Sequence, residues 1–134
     1  MAIVTETRRL SVVPLTGPPL SIKASQGDTN RRITFILYGL YGNYTIPDGT
    51  YTRCKATTPS GKELDLAVSS AEDNDIVFTI PKEITNEPGS TIARFAMYNS
   101  MSNQSGVVHT DNFEIYVVPS GNAGLNSNAT SLYG

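Results

Sequence analysis

Apolar and polar residues alternate with a period of two through most of this chain, the signature of strands that bury one face. The clearest stretch is Ile22 to Tyr38. In it Ile33, Phe35 and Leu37 form a wholly apolar face, opposed by the mixed face of Thr34, Ile36 and Tyr38. The polar knot before it, Ser25-Gln26-Gly27-Asp28-Thr29-Asn30, has a glycine for positive φ and two Asx residues that can bond their own backbone. The pattern predicts an opening hairpin, a core strand and its partner joined by this turn.

The same alternation recurs downstream. Residues 50–57 and 63–68 flank the turn residues Thr58-Pro59-Ser60-Gly61-Lys62, which predicts a second hairpin with Leu64, Leu66 and Val68 on one face. After a polar connector over 69–74, Ile76, Phe78 and Ile80 mark another core strand, stopped by Pro81. Residues 82–89 end in Pro-Gly and read as a loop in which Ile84 plugs the end of the core. Residues 91–98 are the next strand, 99–106 a Ser/Asn/Gly-rich hairpin tip, and Val107, Val108, Phe113, Ile115 and Val117 belong to the last strands before Pro119. No segment offers an amphipathic helix of useful length. The fold class expected is all-β, an antiparallel two-sheet sandwich, with a closed barrel as the alternative.

Three parts follow from this pattern: an extended arm over 1–19, a sandwich over 20–119, and a small, polar tail over 120–134 that reads as a linker or docking peptide. The arm carries Ile3, Val4, Leu10, Val12, Val13 and Leu15, too much apolar surface to leave in water, while Pro14, Pro18 and Pro19 argue against a place inside its own sheet. These six residues are therefore expected to bind a neighbouring subunit, as an added edge strand or along a groove. On that reading, deleting residues 1–15 would leave the sandwich folded. The alternative is an arm that wraps its own sandwich. A connection from Gly39 to Gly49 holds two tyrosines, and Tyr38, Tyr41 and Tyr44 together are a candidate ligand-facing loop, with ring faces suited to sugars.

Composition narrows the function classes. With 134 residues the chain is read as one sandwich domain with its two ends, and a net charge of -2 with 16% charged residues gives no basic surface for nucleic acid or an anionic membrane. Cys54 is the sole cysteine and alternates with Thr52 and Ala56, so it reads as a small buried residue rather than a reactive thiol. No apolar run is long enough to span a membrane and no signal peptide is recognised, so the expectation is a soluble protein made in a reducing cytoplasm. His109 is the only histidine, with no recognisable partner for a Ser-His-Asp system, and reads as a surface or turn residue. Asp28, Asp48, Glu63 and Asp65 could be paired on paper as glycosidase carboxylates, but any chain with twelve acids allows that. Glu72-Asp73-Asn74-Asp75 lacks the spaced ligands of a calcium loop, and the cysteines and histidines that zinc needs are missing. No catalytic residue, cofactor or metal is therefore expected.

Gln26-Gly27-Asp28-Thr29 ahead of a core strand, the Pro59-Ser60-Gly61-Lys62 turn, and Thr110 followed by Asn112-Phe113-Glu114-Ile115-Tyr116-Val117 resemble, in order and spacing, the N-terminal domain of phage baseplate upper proteins, the BppU-like family. The resemblance spans roughly Leu20 to Val118. It implies an immunoglobulin-like sandwich and a non-enzymatic structural role in a virion, with other virion proteins as partners and several copies in the assembly. The long proline-rich arm departs from the family pattern, and so does the lack of a shaft after the sandwich. An adaptor attached through its termini to tail, baseplate or capsid proteins is the expected form. A capsid decoration or head-fibre base protein and a carbohydrate-binding sandwich are the alternatives, and a hydrolase is the remaining enzyme class.

Overall fold

The computed structural model describes residues 4–99 and 106–120. Among these residues two β-sheets pack face to face. The first contains β1 (Val4–Ser11), β3 (Arg31–Gly39), β8 (Asp75–Thr79) and β7 (Ser70–Glu72) in that order, with the short β4 (Gly42–Asn43) paired to the end of β3. The second runs β2 (Leu20–Ser25), β11 (Phe113–Val118), β9 (Gly89–Tyr98), β5 (Tyr51–Thr57), β6 (Glu63–Ala67), with β10 (Val108–His109) on β9. The fold is thus an all-β two-sheet sandwich.

The alternating faces land where the pattern puts them. Ile33, Phe35 and Leu37 from β3, Ile76, Phe78 and Ile80 from β8 and its end, and Phe113, Ile115 and Val117 from β11 are all buried, as are Cys54 and Phe95. The chain's four phenylalanines meet in one cluster. Phe95 lies 5.1 Å from Phe35, 5.8 Å from Phe78 and 5.2 Å from Phe113, ring centre to ring centre, and Phe35 lies 4.7 Å from Phe113. Such tilted and edge-on contacts add to the burial of the rings themselves. The β5–β6 hairpin forms as expected, with Leu64 and Leu66 half-buried at the sheet edge.

Two expectations change. The opening hairpin does not form: β2 and β3 lie in different sheets, β2 parallel to β11 and β3 parallel to β1. The knot between them closes a tight turn, with Asp28 N–H donating to the Ser25 carbonyl at 3.0 Å, but that turn is tied to the end of the sandwich and hands the chain to the other sheet. Asp28 accepts hydrogen bonds from the Ser25 amide and from Arg31 Nε, each at 2.9 Å, while Gly27 N–H donates to Thr85 and Thr85 Oγ1 donates to the Asp28 carbonyl at 2.7 Å. These bonds anchor the chain on α1 (Lys82–Thr85), a single helical turn where a loop was expected, whose Ile84 does plug the core. The sandwich is therefore not purely antiparallel.

The second change concerns the expected arm. Residues 4–11 are an edge strand of the chain's own sheet, in register from Val4 opposite Arg31 to Ser11 opposite Tyr38, and Leu10 is buried against the core. The proline argument holds only for residues 14–19, which carry the chain from one sheet to the other, where a missing amide costs no ladder bond. Glu6 and Arg8 share the inward side with Leu10, ion-paired at 2.7 Å, and Arg8 also donates to the Ser21 carbonyl of β2. A charged pair turned toward the opening between sheets blunts an exposed edge.

Two outcomes follow. Phe95→Ala, which opens a cavity touching three other rings, should cost about 3–5 kcal/mol, a large part of an ordinary domain's stability, measured by chemical denaturation. Removing residues 1–11 should unfold or strongly destabilise the chain, and Leu10→Ala alone should cost about 2–5 kcal/mol. A truncated chain that melted like the full one would show that β1 is dispensable.

Candidate functional site

The sandwich has two distinct ends. At one, β1 begins and β11 finishes beside the 26–30 loop: Val4 N–H donates to Asn30, Gln26 N–H to Val118, and Ser120 N–H to Gln26 Oε1. At the other, the end of β1, the β3–β4 turn and the start of β11 come together, with Asp111 N–H bonded to the Ser11 carbonyl at 2.8 Å.

This second end carries the main exposed apolar surface. Continuing the β1 ladder, Val12 N–H donates to Tyr38 at 2.9 Å, and the buried Ser11 hydroxyl folds the chain back by bonding both the amide and the carbonyl of Val13. Val12 thereby lies against Gly39, where an added Cβ would sit 3.5 Å from the valine methyl. Opposite, Gly39 pairs with Gly42 and Tyr38 with Asn43, so Leu40 and Tyr41 alone make the turn. Gly42 takes the positive φ, 120°, that tight hairpins need, which leaves the two turn positions free for large residues. Leu40 is 77% and Tyr41 99% exposed. Between this turn and residues 12–13 lies a recess of about 320 Å³, lined by Val12, Val13, Leu40, Tyr41, Asn43, Tyr44 and the two glycines.

The structure thus joins two sets of residues that the sequence kept apart. Val12 and Val13 of the expected arm share the recess with Tyr41 and Tyr44 of the expected loop. Tyr38 is elsewhere, half-buried on β3 beneath the Arg9 guanidinium at 4.8 Å. Leu10 serves the core, Leu15 is exposed beyond the recess, Val4 is exposed at the far end of β1, and Ile3 lies outside the described residues, as does the tail over 121–134. Leu40 went unnoticed in the sequence; its signal is a large apolar residue flanked closely by glycines. For a sugar the recess offers ring faces but little hydrogen bonding, with Asn43 its single side-chain amide.

A second recess, of about 510 Å³, lies on the outer face of the other sheet and includes Lys55, Glu63, Arg94 and His109. Asp65 bridges Arg53 Nε at 2.8 Å and Lys55 Nζ at 2.7 Å. Desolvation raises the Asp65 carboxyl, but the bonds from Lys55 and Arg53 outweigh it and hold it below the usual carboxylate range. Partial burial, and then the charges of Arg94 and Lys55, push His109 below the ordinary imidazole value. Both cations oppose the charged imidazole, the reverse of a histidine oriented by an acid for base catalysis. Burial pushes the Cys54 thiol up to about 12, which keeps it protonated and unreactive. Among the described residues no group of three or more His, Cys, Asp or Glu side chains is placed to hold a metal ion, and no helix is long and apolar enough to cross a membrane.

These directions set a pH dependence. A histidine whose folded pKa lies below its unfolded value of 6.5 stabilises the fold fully above that pH and loses its contribution as pH falls through the folded value. Asp65, Asp28 and Glu114 are lowered too, so their contributions fade at more acid pH, below ordinary values of 3.8 for Asp and 4.5 for Glu. Melting temperature should therefore fall as pH drops from about 7 to 5, and His109→Gln should flatten that limb while leaving the more acid limb in place. Identical pH profiles for the two chains would show that His109 does not carry it.

No family model matches the chain, and no curated protein matches it. Among solved structures, the N-terminal domain of phage TP901-1 ORF48 superposes on 86% of this chain and 99% of its own, with a TM-score of 0.62 and 13% sequence identity. At that identity the likeness is one of fold.

Proposed function

We propose that this chain is a non-enzymatic structural domain of a bacteriophage virion, an adaptor of the kind found in baseplate upper proteins. The observation that carries the reading is the correspondence of nearly the whole of a phage protein domain with this sandwich, found independently of the turn and strand residues that resemble a phage baseplate domain. A shared fold alone does not fix a function. Here the fold agrees with a site inventory that offers apolar and edge surfaces and a histidine faced by cations.

The attachment end is the one where the two described chain ends meet the 26–30 loop, with Val4 exposed at the start of β1. There a neighbouring virion protein can engage main chain and apolar side chains together, a general mode of strand and peptide attachment. Of the residues first assigned to partner binding, Leu10 does not serve this role because it fills the chain's own core.

Immunogold electron microscopy of the encoding phage, with antibody raised against the purified chain, tests the reading. Label at the tail tip is the expected result, and label over the head would move the protein to capsid decoration. Particles free of label, from lysates that contain the chain, would overturn a virion role.

A further inference from the structure

The apolar end lies opposite the Val4 and Ser120 end assigned above to attachment, and it has features of its own. We propose that this tip is a homotypic interface, in which the Leu40–Tyr41 turn of one copy seats in the recess beside Val12 and Val13 of a second copy about a two-fold axis. Three observations favour a second copy over another occupant.

The first is charge. The recess is lined by no Asp, Glu, Lys, Arg or His. A two-fold contact sets a surface against itself, so any charge near the axis meets its own like, and an uncharged patch is the kind that escapes this cost. The same lack of charge gives an oppositely charged partner nothing to recognise. The second is shape. Protrusion and recess stand side by side on one surface, with Tyr41 forming both the knob and one wall of the hole, as self-complementary docking requires. The third is placement. Val4 and Ser120, the outermost described residues, both lie at the opposite end of the sandwich, so two copies meeting head to head leave the proposed attachment end clear.

The patch is small. Leu40 and Tyr41, at 77% and 99% exposure, with their half-buried neighbours Val12, Val13 and Tyr44, offer on the order of 400 Å² per copy. That lies below the roughly 1,200 Å² in total of a stable complex, so the association is weak for free copies and strengthens where an assembly holds them close.

Sedimentation equilibrium of the full chain, from micromolar to millimolar concentration, provides the test. The wild-type chain should pass from monomer to dimer across that range and go no further, since a two-fold contact closes. Tyr41→Glu and Leu40→Glu should each stay monomeric throughout, with melting temperatures unchanged because both side chains are nearly free of contacts. Wild-type chain that remains monomeric at millimolar concentration would overturn the proposal, and so would a Tyr41→Glu variant that dimerises as readily as wild type. A monomer that instead binds a soluble oligosaccharide in a Tyr41-dependent way would assign the recess to sugar and overturn it equally. The virion reading is judged separately, since a chain that is monomeric in solution and still labels the tail tip leaves that reading intact.

Discussion

The mutual position of the two sheets depends on the packing of four aromatic rings. Phe35 and Phe78 come from the first sheet, Phe95 and Phe113 from the second, and Phe95 touches each of the other three. All four sit on strands flanked on both sides in their sheets: β3, β8, β9 and β11. Because the single cysteine is buried and unpaired, no covalent link shares the task. Interdigitated rings hold a sandwich in one arrangement better than aliphatic side chains of equal area, since their contacts prefer particular tilts and offsets. With the centre so occupied, the edge strands can be polar. Glu6 and Arg8 on β1 and the half-buried Leu64 and Leu66 on β6 are tolerated because they are not asked to close the core.

Residue spacing revealed those central strands, because burial of one face imposes period two on every residue it covers. It could not reveal which sheet a strand joins. The knot from Ser25 to Asn30 has the composition of a hairpin turn, yet its bonds to Thr85 commit it to a crossing between sheets, and Thr85 is far away in sequence. Nor was β1 legible as a strand. Its inward positions are Glu6, Arg8 and Leu10, two charges and one apolar residue, so neither face stands out and the prolines downstream dominate the pattern. The recess was half legible. Tyr41 and Tyr44 stood out as aromatics in a connection, but their meeting with Val12 and Val13 depends on a parallel register between strands that β2 separates in the chain.

That register makes the tip a consequence of the core. Leu10 pairs with Leu37, both buried, and two residues later Val12 meets Gly39 at the point where β3 gives way to the turn. A slip of one residue would turn Leu10 outward and carry Val12 away from the glycine, so the site inherits its geometry from the burial of two leucines. What the core does not account for is the choice of residues at the turn. Tight hairpins favour Asn, Asp and Gly at their central positions, and the positive φ is already taken by Gly42. Leu40 and Tyr41 bury almost nothing within the described chain, so folding gains little from them while solubility suffers. Apolar side chains that the described residues leave uncovered, held rigidly by a ladder that the core fixes, are what the proposed contact between copies would bury.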